Sequence, residues 1–461
     1  VTLRIAALAL ALATASPAEA SPPDTTTDTG LAAVVEQRLR GDSTGACFAV
    51  AVIDGDRVAR TYRCADPADE GRIGPDAAFE IGSVSKTMGA VLLADLIVQG
   101  RAALDDPLAD YLPGDARVPT FEGQPILLRH LVTHTSGLPR LPANVPTDDM
   151  TDPYRDVDAR ALLETLAGVS LEVAPGTRFE YSNFASMLLS WALARRAGRD
   201  LESLLAERLF APLGMPGAYI HDVRDGVRPA AGHAGDARVV SPWHFATDLA
   251  AVGGVRATLD DMVAYVQAHL GQRPSSLDAA LAMAMQPVAT QASQAMAMNW
   301  ILTPLDDRHV HTHEGGTGGF SSYVALDVMR GRGVVVLSDT EQWSVGGLGA
   351  GLGQHLLDAR LPLGGPRQAT VIEPVPDDLV LADYAGEYPL APSFVIAVRT
   401  HDDVLHAQAT GQDAFALTPA GRDVFAAAAH GIEIHFERDT VGRVIALTLH
   451  QAGQMQRVER R

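Results

Sequence analysis

Apolar and polar positions along this chain change their period several times, and each change marks an element. Leu31 to Arg40 reads as a short helix. Ala46 to Ile53 is an unbroken apolar strand. Arg57 to Arg63 pairs back on it around Asp54-Gly55-Asp56-Arg57, where Gly55 can take a positive φ. From Ser83 to Gln99, Met88, Val91, Leu92, Leu96 and Ile97 recur on one helical face, and Gly100 stops the helix. Phe184 to Ala197 and Leu201 to Leu213 continue a helical region. Thr258-Leu259-Asp260-Asp261 has the form of a capping box that opens another helix. Strand patterns return at His309 to His313, Phe320 to Asp327 and Gly333 to Leu337, and a final helix ends near Leu361. Elements of both kinds at the two ends, around a helical middle, predict one α/β domain with a helical insertion.

Beyond Leu361 the pattern changes. Pro362, Gly364, Gly365, Pro366, Pro374 and Pro376 mark a linker over residues 362–380. Phe394 to Val398, Val404 to Ala409, Ile432 to Phe436 and Val444 to Leu449 then alternate with period two, with no helical pattern between them. Residues 381–461 are therefore expected to form a small antiparallel all-β barrel.

Composition places the chain more than it explains it. At 461 residues with 47% apolar residues, two folded units are expected. A formal net charge of −20 argues against nucleic acid or an anionic membrane as partner. Arg4, the uncharged run Ile5 to Ala15 and Ala18-Glu19-Ala20 read as a signal peptide over residues 1–20, followed by a disordered leader at 21–30. No segment reaches the roughly 18 apolar residues of a transmembrane helix. An exported, periplasmic or secreted bacterial protein is expected. With a two-residue loop at Gly55-Asp56, the only two cysteines, Cys47 and Cys64, lie directly opposite each other at a non-hydrogen-bonded pair. That register brings them within disulfide reach, and two buried thiols are the alternative.

The chemistry concentrates in three segments. Ser83-Val84-Ser85-Lys86 opens the clearest helix and sets Ser83 and Lys86 on one face. A serine hydroxyl needs a neighbouring base, and a desolvated lysine beside a helix N-terminus can supply one. Lys86 is the only lysine in the chain; every other basic residue is arginine, which cannot act as a neutral base. Tyr181-Ser182-Asn183 follows the Pro175-Gly176 turn. A tyrosine beside a cation can become a phenolate and shuttle protons, and Asn183 can orient Lys86 and a substrate amide; a core tyrosine with a capping Asn is the alternative. His313-Glu314-Gly315-Gly316-Thr317-Gly318-Gly319-Phe320 ends a strand in glycines. There the Gly316 and Ser83 N–H groups can form an oxyanion hole, or the glycines can simply turn a hairpin.

Together, Phe79 to Thr87, Tyr181-Ser182-Asn183 and the run from Gly315 to Val324 resemble the serine β-lactamase and penicillin-binding protein family. Leu131-Val132-Thr133-His134-Thr135-Ser136-Gly137-Leu138-Pro139 resembles its class C branch, which includes D-alanyl-D-alanine carboxypeptidase/endopeptidases, D-aminopeptidases and esterases. The resemblance covers residues 31–361. It implies a β-lactamase/transpeptidase-like fold, an antiparallel sheet flanked by helices, and a lipocalin-like barrel at the end. It also implies acylation of Ser83, proton handling by Lys86 and Tyr181, and substrate binding by Asn183, His313, Gly315, Gly316 and Thr317, without cofactor or metal. The implied substrates are β-lactams or D-alanyl peptides, with esters as an alternative. His313 and Glu314 stand where β-lactamases carry the Lys and Thr of a Lys-Thr-Gly motif, and Leu141 stands where an amide usually lines the pocket. A histidine there is expected to donate a hydrogen bond, and to favour anionic substrates only as pH falls and it gains charge.

Two readings compete. His309, His311 and His313 alternate on one strand face, which is a possible zinc spacing. The altered third motif also allows a non-catalytic peptidoglycan-binding protein.

Overall fold

A computed structural model describes residues 23–145, 151–289, 294–341, 349–365, 374–391, 394–410, 414–427, 432–451 and 454–461. The expected signal peptide and residues 366–373 of the expected linker lie outside these residues. The expected hairpin forms as β1 (Cys47–Asp54) and β2 (Arg57–Cys64), with Gly55 at φ 56° in the loop and Cys47 opposite Cys64. A disulfide joins the two cysteines.

The hairpin completes a sheet begun some 240 residues later in the chain. Four further strands, β3 (Ile301–Leu305), β4 (Arg308–Gly316), β5 (Ser321–Asp327) and β6 (Arg332–Ser338), join it in the order β3-β4-β5-β6-β1-β2, every pair antiparallel. β1 is apolar from Cys47 to Ile53 because both of its faces are covered there. Ala49, Ala51 and Ile53 face the main helical core, whereas Phe48, Val50 and Val52 face a second core with Leu31, Val35 and Leu356.

Helix α1 (Asp28–Leu39) covers that second face. Apart from the last helix, which follows β6, the other helices fill the long excursion between β2 and β3. They include α2 (Ser85–Val98), α3 (Asn183–Ala197) and α4 (Leu259–His269), the last opened by the expected capping box of Thr258 and Asp261. α2 is buried almost all round, which is why its apolar positions spill beyond a single stripe. The helix expected over Leu201 to Leu213 contains a π-helical turn, Ala206–Phe210. Pro212 has no N–H to give the Arg208 carbonyl, so the regular ladder fails there. The last helix ends at Leu357, short of the expected Leu361, because Asp358 leaves it in an extended conformation and its carboxylate accepts from the Arg360 N–H.

The C-terminal unit is an eight-stranded antiparallel meander: β7 (Gly386–Ala391), β8 (Phe394–His401), β9 (Val404–Ala409), β10 (Phe415–Gly421), β11 (Val424–Ala427), β12 (Ile432–Arg438), β13 (Val444–Gln451) and β14 (Gln454–Glu459). Its two edges approach each other, and Arg461 N–H donates to the Glu387 carbonyl at 2.8 Å to bring the barrel nearly to closure. Tyr384, Tyr388, Phe425 and Phe436 pack edge-on in a core separate from those of the larger domain.

Candidate active site

A short buried strand, Ala77–Glu80, delivers the chain to Gly82. The φ of 50° at Gly82 turns the backbone into one 3-10 turn, Gly82–Val84, which runs on into α2. A Cβ at Gly82 would lie 2.5 Å from Gly316 N on β4, and one at Gly315 would lie 2.1 Å from the Ile81 carbonyl oxygen. Glycine at these positions lets β4 approach the backbone just before Ser83. Ser322 Oγ, from β5, donates to the same Ile81 carbonyl at 2.8 Å.

Ser83 is partly exposed, whereas Lys86, one turn further on, is 1% exposed. Lys86 Nζ lies 2.8 Å from Ser83 Oγ and 2.7 Å from the Val252 carbonyl oxygen. No carboxylate pairs with it among the described residues. Burial, and secondarily repulsion from Arg140, hold this amine well below the ordinary lysine range. As a neutral amine it donates to the Val252 carbonyl and turns its lone pair to the serine hydroxyl, which is what a base requires.

Tyr181 precedes Ser182, the N-cap of α3. Its ring centroid is 5.0 Å from Lys86 Nζ, and its phenol is hydrogen-bonded to Ser83. The phenolate that the sequence allowed is not the resting form. Burial pushes the phenol up to about 12, outweighing the Arg140 guanidinium that lies 5.6 Å over the ring. His134, fully buried, stacks on Tyr181 with ring centroids 4.3 Å apart and accepts the Ser182 N–H through Nδ1 at 3.2 Å. Asn183 does not bond Lys86. Its Nδ2 donates to Tyr154 Oη at 2.8 Å, and its Oδ1 is buried without a partner. Lys86 is held instead by the Val252 carbonyl.

The family profile described as "Beta-lactamase" matches residues 31–355. The chain belongs to the beta-lactamase family. Like the proteins it resembles, it is a serine hydrolase. It is 32% identical over 311 residues to the D-alanyl-D-alanine-carboxypeptidase/endopeptidase AmpH of Escherichia coli, a match spanning 63% of this chain and 78% of that one. Penicillin-binding protein 4 of Amycolatopsis lactamdurans is 28% identical over 335 residues, covering 68% and 84%. Among solved structures, the beta-lactamase/D-alanine carboxypeptidase of Yersinia pestis complexed with citrate superposes with a TM-score of 0.57 at 26% identity, covering 67% of this chain and 92% of that one. A separate profile, described as a domain of unknown function, matches residues 372–460, the barrel.

Within this beta-lactamase-family frame the third segment departs from expectation. His313 is 2% exposed, and its Nδ1 lies 2.7 Å from the Glu314 carbonyl oxygen. A carbonyl only accepts, so Nδ1 carries the proton and Nε2, buried without a partner, presents a lone pair. His313 is therefore an acceptor, not the donor its place in the motif suggested. Burial, and then Lys86, bring it down to about 3, so it gains no charge near neutral pH. The ratio of kcat/KM for an anionic substrate to that for a neutral one should accordingly stay flat from about pH 8 to about pH 5, where an unperturbed histidine would titrate. A tenfold rise in that ratio on acidification would show that His313 ionises.

Thr317 is buried with its N–H bonded to the Phe320 carbonyl, next to the Glu80–Arg256 ion pair, and so sits behind the site. Gly316 is partly exposed and Gly315 buried. Leu141 is half-buried and packs against the main core. The three histidines of β4 do not converge: His311 Nε2 lies 2.8 Å from the Met285 carbonyl, His309 is exposed, and His313 holds the Glu314 carbonyl. No group of three metal-ligating side chains meets among the described residues.

Sequence reasoning gave no role to His134, Arg140, Tyr154 or Asn299. Asn299, at φ 58°, donates its side-chain amide to the Lys86 carbonyl at 2.9 Å. The signal for the first two lay in the stretch Leu131 to Pro139 and the residue after it; nothing local marks the other two.

Proposed function

We propose that the protein hydrolyses D-alanyl peptides and β-lactams through an acyl-serine intermediate on Ser83. The observation that carries this reading is the Ser83 hydroxyl 2.8 Å from a buried lysine with no carboxylate partner among the described residues. Lys86 Nζ takes the serine proton as Oγ attacks the carbonyl carbon. The oxyanion sits between the N–H groups of Ser83 and Gly316, which the Gly82–Gly316 contact supports. Tyr181, a neutral phenol at rest, passes its proton to the departing nitrogen and is reprotonated from Lys86. Water then hydrolyses the ester by the reverse route. His134 fixes the plane of Tyr181, and Asn183 Oδ1 accepts the substrate amide N–H. The protein acts on small molecules or peptides after export. The disulfide and the leader pattern support that compartment, and no helix among the described residues is long and apolar enough to cross a membrane.

Ester hydrolysis is the second reading, favoured by the uncharged His313. Comparison of kcat/KM on nitrocefin, a peptide ending in D-Ala-D-Ala and a short-chain nitrophenyl ester separates the two. The peptide or nitrocefin should exceed the ester about tenfold or more once leaving-group reactivity is normalised. Ester turnover with neither of the others would replace the proposal with the esterase reading.

A further inference from the structure

Resting on the acyl-serine reading above, we propose that Arg140 receives the carboxylate of the leaving group. The favoured scissile bond is then one whose departing amine carries a free carboxylate, as in a C-terminal D-amino acid. The residues around Ser83 leave few other candidates. Lys86 is the only lysine in the chain, and its buried amine is already engaged by Ser83 Oγ and the Val252 carbonyl. His313 offers an acceptor, which repels a carboxylate. Arg256 is already paired with Glu80 at 2.8 Å. Arg140 is exposed, and its guanidinium makes no hydrogen bond or ion pair among the described residues, yet it lies 5.6 Å over the Tyr181 ring.

Its position is built, not incidental. The Arg140 carbonyl accepts the N–H groups of Asn183 (2.9 Å) and Phe184 (3.4 Å) in the first turn of α3, and Ser182 Oγ donates to the Pro139 carbonyl at 2.7 Å. Pro139-Arg140 thus caps the helix that carries the Tyr181 segment, and this holds the Arg140 backbone beside the phenol with its guanidinium tethered within reach. Tyr181 hands a proton to the leaving nitrogen, so that nitrogen sits at the phenol. In an amino-acid leaving group the carboxylate is only two bonds from this nitrogen, close enough for a guanidinium that stands over the Tyr181 ring to receive it. A planar guanidinium accommodates a carboxylate with two parallel hydrogen bonds and stays charged at every working pH.

The test compares an acetylated peptide ending in D-Ala-D-Ala with the same peptide bearing a C-terminal amide. Rates are normalised to the burst amplitude of a neutral activated ester, which counts working sites. The wild type should prefer the free acid by about tenfold or more, and Arg140→Gln should reduce that preference to within about twofold of unity. Arg140→Lys should restore part of it, and Arg140→Glu should invert it. A preference unchanged in Arg140→Gln, or rates on acid and amide that fall together, would make Arg140 a support for Tyr181 and overturn the proposal. A wild type that shows the ester burst without preferring the acid also overturns it while leaving the acyl-serine reading intact. A wild type with no burst overturns the acyl-serine reading itself.

Discussion

Ser83→Ala should lower turnover by roughly three orders of magnitude or more, and Lys86→Arg should do nearly the same. The serine change removes the atom that forms the ester. The lysine change keeps a positive charge but installs a group that cannot give up its proton, so it separates basicity from electrostatics. Because Lys86 is 1% exposed, the bulkier Arg can also disturb packing, and Lys86→Met serves as the isosteric control. That variant should be inactive yet melt higher than the wild type at neutral pH. The sign follows from linkage. The folded pKa of Lys86 is depressed below its unfolded value, so between the two the unfolded chain holds the extra proton and wild-type stability rises with pH. The penalty that Lys86→Met removes is full below the folded pKa and gone above about 10.4, the unperturbed lysine value. Wild-type rates in either Lys86 variant, measured as kcat/KM on an activated ester, would remove lysine from the mechanism.

The Cys47–Cys64 bridge carries the second large effect. It links β1, the strand next to the edge of the sheet, to the edge strand β2, across a sequence separation of 17. Closing a loop of that length restricts the unfolded chain, and the Cys47→Ala/Cys64→Ala double variant should lose about 3 kcal/mol. Both sulfurs are buried, so part of the loss reflects packing. Urea unfolding of oxidised, reduced and double-variant proteins separates the two contributions. The exported protein should have a mass lacking residues 1–20 and, under denaturing non-reducing conditions, no alkylatable thiol. Equal midpoints for the oxidised and reduced forms would mean that the bridge adds no stability.

Local pattern carried most of the architecture and some of the site. The Cys47–Cys64 register followed from one glycine in a two-residue loop, because strand pairing propagates outward without loss when no bulge intervenes. Helix α2 was legible from its apolar spacing and its stop at Gly100. Half of the barrel strands were legible and half were not. β10 contains Pro419, and β14 reads Gln-Met-Gln-Arg-Val-Glu, whose two apolar residues stand three apart in the sequence and so break the period-two pattern. Each is recognisable only beside its neighbours. The protonation states were the least legible part. Tyr181 was read as able to become a phenolate and His313 as a donor that titrates near its usual value, but burial contributed by distant elements raises the one and lowers the other, and keeps both neutral. His134 shows the same gap: its role as the plate beneath Tyr181 depends on two segments separated by 47 positions in the chain.

The most direct test of the central claim is the mass of the acyl-enzyme. The full chain, quenched in acid within the burst phase after mixing with an activated ester or a labelled penicillin, should gain one acyl group. Proteolysis should place that group on the peptide containing Ser83, and Ser83→Ala should gain nothing. An adduct on any other residue, or turnover by Ser83→Ala at wild-type rate, would contradict the account.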